Sequence, residues 1–154
     1  ELKKAGVVST LKPSLLIEDF KGDWKKEWFT YKVDKWGIKT HKPYSRVWAP
    51  PENGRLCFEV RAQMENQLIV GMDGHATELA LPGKNEWKAV SLSANDFKDA
   101  ELKPLANWNG VKELRFDEAE TLRPSRGSMA KPRRLGGQWR GKAPEFRNLR
   151  WVAK

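Results

Sequence analysis

This chain has one cysteine, two histidines and no long apolar run, and each shortage removes a class of function. With Cys57 alone among 154 residues, no intrachain disulfide can form. Cys57 sits between Leu56 and Phe58 in an alternating run, the setting of a packed thiol rather than a nucleophile. His41 and His75 have no zinc-like spacing to Cys57 or to each other. Neither a Gly-x-Ser-x-Gly elbow nor a phosphate-cradling Gly-Lys-Ser/Thr loop occurs. The longest apolar clusters, Leu15-Leu16-Ile17 and Leu68-Ile69-Val70, fall far short of the ~20 residues that span a bilayer. The acids Asp117, Glu118 and Glu120 read as a solvated rim at a strand end rather than a glycosidase pair. The expectation is a protein without catalysis and without a membrane span.

What the chain does contain is tryptophan and localised charge. All of the net charge of +9 resides in residues 121–154, where ten Lys/Arg face one acid, Glu145; residues 1–120 hold nineteen of each sign. Charge gathered in one segment creates a local potential that attracts anions. Eight tryptophans exceed what one modest core needs, since each buries about 150–250 Å².

A chain of this length is most simply one domain. Residues 1–13 read as a linker or N-terminal arm, and residues 14–154 as the domain proper. The start at Glu1, with no signal-like segment, reads as a processed protein or an excised domain. Short alternating runs predict strands at Ser14–Phe20, Glu27–Lys32, Arg55–Arg61, Leu68–Met72, His75–Leu81, Glu86–Leu92, Val111–Asp117 and Phe146–Val152. Asp73-Gly74 marks a hairpin, Pro82-Gly83 a turn, and Ser93 with Asp96 the cap of a single helical turn. Between the last two strands lies a Pro-, Gly- and Arg-rich insertion, expected as a basic loop at about 119–145. The fold class is therefore all-β, an antiparallel sandwich.

The runs Glu86-Trp87-Lys88-Ala89-Val90-Ser91-Leu92, Asn95-Asp96-Phe97, Trp108 to Phe116 and Phe146 to Trp151, with the opening Leu15 to Phe20, together resemble non-catalytic carbohydrate-binding modules of the galactose-binding-like jelly-roll type. That resemblance implies a jelly roll appended to a polysaccharide-degrading enzyme, secreted or at the cell surface, binding sugar chains through exposed aromatics. It also implies a structural Ca²⁺ near Glu18, Asp19 and Asn148, although Asn148 stands where an Asp is expected, which weakens a hard-cation site. It places Trp87, Trp108 and Trp151 in the core.

Trp36, Trp48 and Trp139 sit instead in loop-like stretches beside Gly, Pro or Arg. A flat ring desolvates the apolar C–H face of a pyranose while polar neighbours read its hydroxyls. The segment from Trp36 to Trp48 adds His41, Tyr44 and Arg46 to these rings, and reads equally as an extended crossover strand with a basic outer face. In the insertion, Arg133, Arg134 and Arg140 offer planar forks suited to carboxylate or sulfate groups. The expected ligand is a polysaccharide or oligosaccharide, in particular an anionic one, and the expected partner a catalytic domain on the same parent chain. The competing readings are a basic nucleic-acid binder, disfavoured because the charge is not spread across a strand face, and a sandwich that docks on an acidic protein.

Overall fold

The computed structural model describes residues 14–29 and 35–153. The expected arm at 1–13 and residues 30–32 of the second expected strand lie outside the described residues. The strands are β1 (Ser14–Glu18), β2 (Ile38–Thr40), β3 (Arg55–Arg61), β4 (Asn66–Met72), β5 (His75–Leu81), β6 (Lys88–Leu92), β7 (Leu114–Asp117), β8 (Ala119–Leu122), β9 (Arg133–Gly136) and β10 (Glu145–Val152). They pair antiparallel into two four-stranded sheets, β1-β10-β3-β6 and β2-β7-β4-β5, and a separate hairpin, β8-β9. The two large sheets share one core, so the chain is an all-β antiparallel sandwich. Among the described residues no helix is long and apolar enough to cross a membrane.

Alternation along the strands decides what fills the core. From the first sheet Leu56, Phe58 and Val60 of β3 point inward, and from β10 Phe146, Leu149 and Trp151. The uneven spacing in β10 reflects a register shift between Arg147 and Arg150, with Asn148 at φ 57°. Such a bulge changes which parity faces inward. Leu68, Val70 and Met72 of β4 and Leu114 and Phe116 of β7 answer from the second sheet. Phe116 is the hub: its ring lies 4.4 Å from Phe146, 5.1 Å from Phe58 and 5.9 Å from Trp28, centroid to centroid. Burying each such ring contributes about 2–3 kcal/mol.

Trp108 and Trp151 are core residues as expected, Trp28 joins them, and the indole N–H groups of Trp28, Trp108 and Trp151 find acceptors: Glu18 Oε1 at 3.0 Å, the Gly54 carbonyl at 2.8 Å and the Trp48 carbonyl at 2.8 Å. Trp87 departs from expectation. It precedes the first paired residue of β6, is only half-buried, and sits outside the core. The local turns follow the sequence: Asp73 takes φ 54° between β4 and β5, and the Ser93 N–H donates to Asp96 Oδ2 at 2.8 Å in a capping box.

The expected basic loop at 119–145 is not loop throughout. Its first residues pair as β8 with β9 further along, and Leu122 and Leu135 pack with Ile69, Ala76 and Ala100 in a second apolar cluster. Ile69 points away from the main core, so β4 is buried on both faces, which accounts for the unbroken Leu68-Ile69-Val70 run. Gly136 lets the hairpin close on the sheet: it holds φ 73°, and a Cβ there would lie 2.1 Å from the Glu118 carbonyl oxygen.

Candidate ligand-binding site

One cleft of about 590 Å³ collects aromatic and basic side chains where β1 ends and β10 begins. The chain leaving β1 makes a tight turn there. The Phe20 N–H donates to Glu18 Oε2 at 3.1 Å and the Lys21 N–H to Asp19 Oδ1 at 2.9 Å. These bonds hold Phe20 at φ 63°, a left-handed conformation costly for a bulky side chain, of order 1–3 kcal/mol. Strain of that kind is kept only where the surroundings enforce it. Here it sets the Phe20 ring edge-on to Trp24 at 4.9 Å and 5.5 Å from Phe146. Trp36 forms the next part of the floor, 6.3 Å from Phe146 and edge-on to Trp139 at 5.0 Å.

The opposite wall stands on the outer face of the first sheet. Arg61 and Arg147 both lie against Trp87, with guanidinium carbons 4.7 Å and 4.0 Å from its ring centroid. Each guanidinium is anchored across the strands, Arg61 to Glu145 and Arg147 to Glu59. The register makes these pairs adjacent, since Arg61 opposes Glu145 and Glu59 opposes Arg147. The hydrogen bond from Arg147 and its positive charge hold the Glu59 carboxyl below its ordinary range. Lys21 and Lys25 also line the cleft, and Lys35 reaches it while pairing with Glu118 at 3.4 Å. Its lining thus combines aromatic rings with Lys and Arg side chains, and the carboxylates of Asp19 and Glu145 lie among them.

The sequence-predicted residues divide among four places. Trp36 lines the cleft and Trp139 packs against it. Trp139 is fixed by its backbone N–H to Glu118 Oε2 at 3.3 Å and its indole N–H to the Lys142 carbonyl at 2.7 Å. Arg140 is clasped by Asn66, which bonds both its N–H and its carbonyl, and its guanidinium donates to the Glu65 carbonyl. Arg140 lines a separate hollow of about 620 Å³ beside Asn66, Gln67 and Gln138.

Tyr44 and Arg46 lie at the other end of the sandwich, exposed, beside a smaller hollow of about 260 Å³ next to Trp108. Trp48 packs on the core from that end, and exposed His41 lies 5.5 Å from the Phe29 ring. Arg133 and Arg134 belong to β9 on the hairpin. Arg133 donates to the Asp99 carbonyl at 3.2 Å, and Arg134 is exposed. The extended crossover strand between Trp36 and Trp48 is three residues of β2 followed by two short 3-10 turns.

Sequence reasoning missed Phe20, Trp24, Trp87, Arg61 and Arg147. The last two had a visible signal: they follow Val60 and Phe146 directly, so alternation points them out when those residues point in.

The residues expected to hold Ca²⁺ do not fit one. Glu18 is buried with Oε1 accepting from Trp28 Nε1 and from Lys42 Nζ, both at 3.0 Å, and Oε2 from Phe20 N–H. A cation, the Lys42 ammonium, already sits against it. Asp19 and Asn148 are exposed, and no group of three or more His, Cys, Asp or Glu side chains able to hold a metal occurs among the described residues.

The acids expected as a solvated rim are otherwise placed. Asp117 is 1% exposed and accepts from the Glu118 N–H, and Glu118 is buried against Lys35 and Trp139. Glu120 accepts two bonds from Arg115. Burial became possible because each carboxylate has a specific donor.

The chain matches no protein-family model, no curated protein and no solved structure.

Proposed function

We propose that this sandwich is a non-catalytic carbohydrate-binding module of the galactose-binding-like jelly-roll kind, whose site is the aromatic cleft between the 19–25 turn and the start of β10. Its ligand is a polysaccharide bearing carboxylate or sulfate groups. The observation that carries the reading is the ring of Trp87 in contact with both Arg61 and Arg147, lining one cleft with Phe20, Trp24 and Trp36. The rings cover the C–H faces of successive sugars, and the guanidinium forks, together with Lys21 and Lys25, pair with the anionic groups. In this reading the module belongs to a secreted parent protein and raises the local substrate concentration for an attached enzyme domain.

Affinity electrophoresis of the domain against a polyuronate, a sulfated polysaccharide and a neutral glucan tests this at two salt concentrations. Retardation by the charged chains, weakening as salt rises, is expected. Retardation by the glucan alone would remove the charge argument, and none by any chain would remove the glycan reading.

One observation favours a second reading. Arg123, Arg126, Lys131 and Arg134 are exposed on the hairpin and make no ion pair among the described residues. That basic surface, on the outer side of the second sheet, suits an acidic protein or nucleic-acid partner, whose binding would depend on the hairpin and not on Trp24 or Trp87.

A further inference from the structure

We infer that the Lys42 ammonium is an internal cation that fills the role of a metal ion beneath the cleft, so that this fold needs no divalent cation. Lys42 is 8% exposed. Its Nζ lies 2.8 Å from the Ile17 carbonyl oxygen, 2.9 Å from Glu27 Oε2 and 3.0 Å from Glu18 Oε1. The Trp48 ring centroid is 4.7 Å away. An ammonium has three donors, and here three oxygens take them while an aromatic face covers the remaining approach. Thr40, fully buried, sets the cage: its hydroxyl donates to the Glu27 carbonyl at 2.8 Å and accepts from the Lys42 N–H at 3.2 Å.

Two carboxylates and a carbonyl are the donors a hard cation such as Ca²⁺ takes. A divalent ion could use them only by displacing the ammonium, because two cations within ~3 Å of the same oxygens repel strongly. The cage joins β1, the 24–27 turn and the 42–44 turn through one side chain. It also reaches the cleft, because the other oxygen of Glu18 accepts the Phe20 N–H and so holds the strained turn. Lys42 is thus a positioning residue for that turn, and this inference stands whether or not the cleft binds glycans.

Thermal melting of the whole domain, followed by tryptophan fluorescence, tests it. Wild type should melt at the same temperature in chelator and in millimolar calcium chloride. Lys42→Ala should melt several degrees lower, and millimolar calcium, but not sodium chloride of equal ionic strength, should restore part of the loss. Glu27→Gln, at a half-exposed position, should give a smaller loss with no calcium response. A wild-type midpoint that falls in chelator or rises with calcium would overturn the inference. A Lys42→Ala midpoint equal to wild type would do the same, and a loss that calcium leaves untouched would overturn the equivalence of ammonium and metal. Should Lys42→Ala not fold, an unchanged midpoint in Glu27→Gln contradicts the cage by itself.

Discussion

The guanidinium carbon of Arg147 lies 4.0 Å from the ring centroid of Trp87, and neither residue belongs to the core. Arg147 leaves β10 on the outer face and Trp87 precedes β6, so the contact bridges the two flanks of β3. Glu59, on β3 itself, holds the guanidinium from below. A ring braced in this way loses little conformational freedom when a ligand stacks on it, which favours affinity.

Trp87→Ala should therefore separate stability from binding. The ring is half-buried, so its removal should cost about 1 kcal/mol in denaturant unfolding. Affinity for an acidic oligosaccharide should fall roughly tenfold or more, the equivalent of about 1.4 kcal/mol. An unfolding loss matching that of a core tryptophan, with affinity unchanged, would show the ring to be structural.

Acid should loosen the same wall late. Glu59 has its folded pKa depressed by the hydrogen bond and charge of Arg147, from an ordinary 4.5. Its contribution is present above 4.5 and is lost as pH falls through the lower folded value. Trp87 fluorescence in a variant keeping only that ring at the cleft should hold steady down to 4.5 and change only below it. In Glu59→Gln that acid transition should vanish.

Trp139→Ala should weaken the fold as well as any binding. Its indole is packed edge-on against Trp36 and tied to the Lys142 carbonyl, so its loss leaves a gap and should cost about 2–3 kcal/mol. Neutralising Arg134 on the hairpin should leave stability within about 0.5 kcal/mol of wild type. Urea unfolding of the two variants checks both values.

Gly136→Ala should detach the hairpin before the sandwich fails. The added Cβ meets the Glu118 carbonyl oxygen at a backbone conformation alanine disfavours, at a cost of about 2 kcal/mol or more. Hydrogen exchange should speed up in β8 and β9 and stay slow in β3 and β10. Uniformly faster exchange would show the hairpin to be an integral part of the core.

What was legible in the sequence follows the range of the interactions involved. The Asp73 turn and the Ser93–Asp96 capping box were readable because their partners are a few residues apart. The inward face of β3 was readable because alternation is local, whereas β4, buried on both faces, offers no alternation to read. Trp87 was misplaced because the last residue before a strand carries the strand's composition without its burial. Glu18 reads as a metal ligand in the sequence because its partner, Lys42, lies 24 residues away, and a lysine in a basic stretch looks solvated until the fold buries it. Asp117 and Glu118 were misjudged for the same reason, since Lys35 and Trp139 reach Glu118 from 83 and 21 residues away. The charged insertion paired into a hairpin because Leu122 and Leu135 needed Ile69 to cover them, and no local pattern linked the three.

The most direct test of the central claim is calorimetric titration of an acidic oligosaccharide into wild type and into a Trp24→Ala/Trp87→Ala variant at low salt. Wild type should bind saturably and the variant at least a hundredfold more weakly, about 2.7 kcal/mol, with both proteins folded by circular dichroism. Equal affinity in the two proteins would contradict that claim and place the site elsewhere on the sandwich.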